Sequence, residues 1–224
     1  MLRNGLCLVV DMAVDAVDDE RVRRYRKALL LGTLREDVLY VPLFGVTEYP
    51  SFSHFYRPGL PGGFIPFLWP GPRSSADRQW KLATRARRAG NDAAAFVHLG
   101  RMLHVLTDMC IPSHANRVAH EDDPFEWFIE GNARTLGALP VPTIAPMPRA
   151  SAHIEAMARS AQQHAPDATN TPVGRVLERV GLRRKVSARE AAAQAEVLLP
   201  LAAGHAAALL RRFAAECIDR LPLR

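Results

Sequence analysis

The stretch from Phe96 to Ile111 is almost wholly apolar, yet it carries a histidine and an aspartate four residues apart. A run of this length and composition reads as a buried helix. Positions i and i+4 share a helical face, with Cβ atoms roughly 5–6 Å apart, so His104 and Asp108 can grip one ion. Burying an uncompensated carboxylate is expensive, and Asp108 therefore calls for a cation or a backbone amide at its side. Pro112 cannot continue the helix. The chain thus turns just before His114, which is placed to serve a second, neighbouring ion. Further donors follow at His120, at Asp122 or Asp123, and at Glu126. Imidazole mixed with carboxylate suits zinc, and two adjacent N/O-rich sites suit hydrolysis.

Two upstream words complete the pattern. Gly32-Thr-Leu-Arg-Glu36-Asp37 is followed by Ser51-Phe-Ser-His54-Phe55-Tyr56-Arg-Pro58. With these, the chain from about residue 5 to its last helix resembles the zinc-dependent phospholipase C enzymes and the single-strand-specific zinc nucleases that share their helical fold. Members carry an acidic residue after the first long helical region, a Ser-His-Phe-Tyr-like word, a helix with His-x3-Asp-x5-His, then a closing histidine and acid. The resemblance implies one zinc site from Asp37, His54, His104 and Asp108, and another from His114, His120 and Glu126. About two Zn2+ ions are expected. Asp122, four residues before Glu126, is the alternative to His120. The resemblance also makes Asp37 the candidate to orient or deprotonate a metal-activated water.

The amino terminus departs from the family. Its enzymes hold a third zinc through the amino group and carbonyl of a first-residue Trp and through a histidine on the first helix. Here the chain begins with Met1, its first Trp is Trp69, its first histidine is His54, and Leu6 falls where the family histidine belongs. A third site is therefore in doubt, and so is full activity. A non-catalytic, metal-binding descendant is the rival reading.

Low aromatic content with abundant Ala, Leu and Arg fits an all-α chain, and 224 residues suffice for a single multi-helix domain spanning 1–224. The net charge of +6 favours phosphate-bearing substrates or anionic surfaces without choosing between lipid and nucleic acid. Much of the excess lies on expected helix faces, Arg175 to Lys185 among them. The three cysteines, Cys7, Cys110 and Cys217, form no disulfide framework. Their scatter, the chain length and the short bacterial-style loop after His114 favour a phospholipid over single-stranded nucleic acid as the phosphodiester substrate. A monomer with peripheral membrane contact is expected. No segment reads as a transmembrane span, and no secretory signal is evident because Asp11 interrupts the apolar stretch Leu6–Val10. The chain as given points to the cytoplasm, although the family is typically exported.

Helices are expected over 6–31, 75–90, 92–111, after Pro124, and near 150–164, 171–182 and 187–218. Residues 40–75, rich in Pro, Gly and aromatics, read as a long loop whose Phe52, Phe55, Tyr56, Phe64 and Trp69 either wall a cleft or pin the loop to the helices. His98, six residues before His104, falls on another face of its helix. His153, His164 and His205 have no partner at a recognisable spacing and read as structural.

Overall fold

A helix this apolar can be stable only if it is enclosed on all sides, and α5 (Asp92–Asp108) is: from Leu99 to Asp108 every residue but Arg101 is buried. The structure, a computed structural model, describes residues 1–36, 38–41, 45–48, 54–56, 62, 70–118, 120, 123–167, 172–181 and 184–218. Asn91 starts α5 by accepting the Ala94 N–H on its side chain. Helices α3 (Arg26–Leu34) and α4 (Pro72–Arg88) lie against α5. Helix α1 (Arg3–Val17) contributes a stripe of Leu6, Val9, Val10, Ala13 and Val14, spaced three and four apart, and is joined to α3 by the short α2 (Glu20–Arg24). The fold is all-α.

Two glycines set the closest crossing. A β-carbon on Gly32 would lie 2.0 Å from the Val97 carbonyl oxygen, and one on Gly100 would lie 2.0 Å from that of Leu29. Helices α3 and α5 therefore meet backbone to backbone. Thr33, fully buried beside the crossing, places its hydroxyl 2.9 Å from the Leu29 carbonyl and 3.0 Å from that of Gly100. This contact puts the carboxyl end of α3 directly over the His104 turn of α5.

The remaining helices are α6 (Pro112–Ala115), α7 (Pro124–Leu136), α8 (Ala150–Ala161), α9 (Pro172–Arg179) and α10 (Ala188–Phe213), which runs into a π-helical turn, Ala214–Ile218. A capping box between Ser187 and Glu190 starts α10. By length and composition Ala188–Cys217 could cross a bilayer, but 78% of its most apolar window is buried inside the protein. It serves as a core helix against α1, α5, α7 and α8.

One local element escaped the sequence reading. At the start of the expected loop and just before it, β1 (Val38–Val41) and β2 (Gly45–Glu48) pair antiparallel, with Val38 opposite Glu48 and Val41 opposite Gly45. Strands of four residues are too short for period-two alternation to stand out.

Two histidines read as isolated are in fact partners. His153 on α8 and His205 on α10 are buried, with their Nδ1 atoms 3.0 Å apart. The Met147 N–H donates to His153 Nε2 at 3.1 Å. His153 must then carry its proton on Nδ1 when neutral and donate it to His205 Nδ1. His98 Nδ1 lies 2.9 Å from Gln79 Oε1 on α4, in keeping with a packing role.

Candidate metal centre

Helix α5 presents His104 and Asp108 one turn apart in the core, each 1% exposed. The Thr33 carbonyl, delivered by the glycine crossing, accepts from His104 Nδ1 at 2.7 Å. A carbonyl can only accept, so the neutral ring keeps its lone pair on Nε2, which lies 3.2 Å from Asp108 Oδ2. His54 Nδ1 approaches the same oxygen at 2.6 Å. Ligand atoms of His54, His104 and Asp108 all lie within 4.8 Å of one another.

The turn forced by Pro112 brings His114 back. Pro112 occupies the first turn of the short α6, and His114 Nδ1 comes within 3.7 Å of Asp108 Oδ2. Three imidazoles thus crowd one carboxylate oxygen. The His54 segment is tied to this turn by the Tyr56 N–H, which donates to the His114 carbonyl at 2.9 Å. Phe55 stacks on the His114 ring, with centroids 4.7 Å apart. Of the loop aromatics, Phe55 and Tyr56 therefore border or pin the site, whereas Phe52, Phe64 and Trp69 lie outside the described residues.

A second group of donors adjoins the first. The His120 ring centroid lies 4.9 Å from that of His114, and His120 Nδ1 is 3.5 Å from Glu126 Oε2 and 3.9 Å from Asp123 Oδ2. Asp123 caps α7 through the Phe125 N–H and accepts the Ser113 hydroxyl at 2.6 Å. It thereby ties the helix bearing Glu126 to the residue preceding His114. The sequence signal for this cap was the Asp123-Pro124 pair at the start of an amphipathic segment. Asp37 and Asp122 lie outside the described residues. Glu36, which precedes Asp37, is ion-paired to Arg101 of α5.

The Met1 amino group also enters this centre, 2.8 Å from Asp108 Oδ1 and 2.9 Å from Glu126 Oε1. Burial acts against its charge, but the two carboxylates outweigh burial and hold its pKa up at about 12. Sequence reasoning treated Met1 only as a departure from the family and did not place it here. Leu6 is core, 4% exposed.

The electrostatics favour ligand-competent forms. Burial would raise the Asp108 pKa, but the Met1 ammonium and the surrounding imidazoles hold it well below the usual carboxylate range. Burial holds His114 well below the usual histidine range, against the pull of Asp108. Asp108 is thus ionised and His114 neutral near pH 7. Burial, with Asp108 next, pushes the Cys110 thiol up, which leaves it inert rather than a thiolate donor.

The chemistry of this donor set fits zinc. His114 Nδ1 and both ring nitrogens of His120 are buried without a hydrogen-bond partner among the described residues. Buried polar atoms seldom remain unsatisfied. Nitrogen and carboxylate oxygen converging in this proportion are the donors that zinc takes.

No protein-family model matches the sequence, and no curated protein does. Solved structures do match. The alpha-toxin of Clostridium perfringens, from an avian strain, superposes with a TM-score of 0.64 at 17% identity, over 96% of this chain and 64% of that one. The alpha toxin of Clostridium absonum gives a TM-score of 0.66 at 15% identity, over 98% and 67%. The chain spans about two-thirds of the length of these toxins. Its fold is the all-α fold of that part of the clostridial alpha-toxins.

Proposed function

We propose that this chain is a zinc-dependent phosphodiester hydrolase of the phospholipase C type, acting on a phospholipid. The observation that carries this reading is the convergence of His54, His104 and His114 on Asp108 Oδ2 inside an alpha-toxin fold. His54, His104 and Asp108, together with Asp37, would hold one ion; His114, His120 and Glu126 would hold the other. Zinc bound there supplies Lewis-acid polarisation of phosphoryl oxygens and a water of lowered pKa.

The protein's own contribution is pre-organisation. His104 keeps one tautomer through its bond to the Thr33 carbonyl, and Asp108 holds its charge among the imidazoles. The clamp between Ser113 and Asp123 holds the His114 turn against the helix that carries Glu126, two donors of the second ion. Asp37 would orient or deprotonate the attacking water. Lipid is favoured over nucleic acid because the three cysteines are free and the loop after His114 is short.

Metal content together with hydrolysis of a phosphocholine ester and of single-stranded DNA tests the reading. About two zinc ions per chain and chelator-sensitive turnover of the ester are expected; absence of zinc after incubation with the metal would refute it. A second reading, a metal-binding protein without turnover, is favoured by Leu6, a core residue where the family's first-helix histidine would stand. Bound zinc without chelator-sensitive turnover of either substrate would select it.

A further inference from the structure

Three large apolar side chains stand out on the surface near the junction of α9 and α10. Val176 is 58% exposed, Val180 63% and Trp127 57%. Val176 lies on α9 and Val180 in the turn directly after it, while Gly174 and Leu177 are the more enclosed residues of the segment. Arg175 and Arg179 stand beside the valines in the chain, and both are exposed. Among the described residues that follow, Arg184 is exposed and ion-paired to Glu190 at the start of α10, and Lys185 is exposed. Between positions 175 and 185 the acidic side chain is Glu178 alone. Lys185, Ser187 and Ala188 then line a groove with Pro124, Trp127 and Phe128 of α7. The tryptophan thus borders Lys185, and it follows Glu126 of the candidate metal centre directly in the sequence.

We infer that α9, with Arg184 and Lys185 after it and Trp127 beside Lys185, forms a docking surface for an anionic phospholipid bilayer. Charge complementarity selects this occupant: arginine and lysine pair with anionic head groups, each contributing attraction near the surface. The exposed valines select it over a polyphosphate chain, to which they offer nothing, whereas at a bilayer they enter the boundary between head groups and acyl chains. A tryptophan suits that same boundary, being apolar with one hydrogen-bond donor.

Co-sedimentation of the whole protein with phosphatidylcholine vesicles, with and without phosphatidylserine, tests the inference. Binding should require phosphatidylserine. The double variant Val176→Ser/Val180→Ser should lower partitioning about tenfold, and Arg175→Glu/Arg179→Glu should lower it at least as much. The single variant Val180→Ser, at a position just outside the helix, should show a smaller loss, and thermal melts establish that each variant is folded. Hydrolysis of a water-soluble phosphodiester should be unaffected by either double variant. Loss of that activity with vesicle binding intact would bear on the proposed reaction and leave docking standing. Wild-type protein that fails to sediment with phosphatidylserine vesicles, or a Val176→Ser/Val180→Ser variant that sediments equally well, would overturn docking. Single-stranded DNA bound in place of vesicles, sensitive to the arginines and indifferent to the valines, would reassign the surface to nucleic acid.

Discussion

Replacing His205 with glutamine removes one of two buried imidazoles while leaving an acceptor for the His153 Nδ1–H. The consequence should appear as a change in how stability depends on pH. Burial lowers both pKa values from 6.5 to about 4, and for His153 the neighbouring His205 and Arg212 add to the effect. In the unfolded chain each ring takes up a proton as the pH falls through about 6.5. The folded protein refuses that proton until about pH 4. Between these values the unfolded state binds more protons, so stability is fully present above pH 6.5 and drains away as the pH drops toward 4. Each ring contributes a slope approaching about 1.4 kcal/mol per pH unit, and on the order of 3 kcal/mol across the window. Urea unfolding at several pH values between 7 and 4.5, followed by far-UV circular dichroism, measures the slope. The His205→Gln curve should be shallower than wild type by roughly one proton, a difference of about 2 kcal/mol accumulated by pH 4.5. The metal-centre histidines affect both curves alike and cancel. Parallel curves, or a His153 resonance titrating near 6.5, would refute the reasoning.

Other perturbations probe the remaining contacts. Gly32→Ala sets a methyl group against a carbonyl and should destabilise by more than about 2 kcal/mol in thermal or urea unfolding, with zinc content falling in parallel. Ser113→Ala leaves the buried Asp123 without its hydroxyl donor; a loss of about 1–3 kcal/mol in the same assay is expected, with reduced occupancy of the His114–His120–Glu126 site. His104→Ala should lower zinc content and melting temperature together, because metal bound only by the folded state adds to folding free energy, whereas His98→Ala should leave zinc content unchanged. Dialysis against a strong chelator should lower the melting temperature of the wild-type protein, and restored zinc should recover it.

The helical periodicity and the His104–His114 word were legible because both depend on local spacing. Positions four apart must share a face, and Pro112 must break the helix. Partnerships across the chain were not legible. His153 and His205 are separated by 52 residues, and only the packing of α8 on α10 makes them neighbours. The Thr33 carbonyl that orients His104 is a backbone atom, so no side chain advertises it. The hairpin at Val38–Glu48 was lost because its strands are short. The amino group of Met1 was invisible for a related reason: its position follows from where α1 packs, not from any residue type.

The crossing of α3 over α5 also bears on how this sequence can change over time. In an ordinary core, a larger side chain on one helix can be accommodated by a smaller one opposite, so paired replacements drift together. At Gly32 and Gly100 the obstacles are the carbonyl oxygens of Val97 and Leu29, which every amino acid carries. No second substitution can clear the way. Both positions are therefore expected to be immobile in any lineage that keeps Thr33 over His104, while the side chains around them exchange freely. In a relative that has lost a glycine here, His104, the proposed metal ligand, should be the next residue to go.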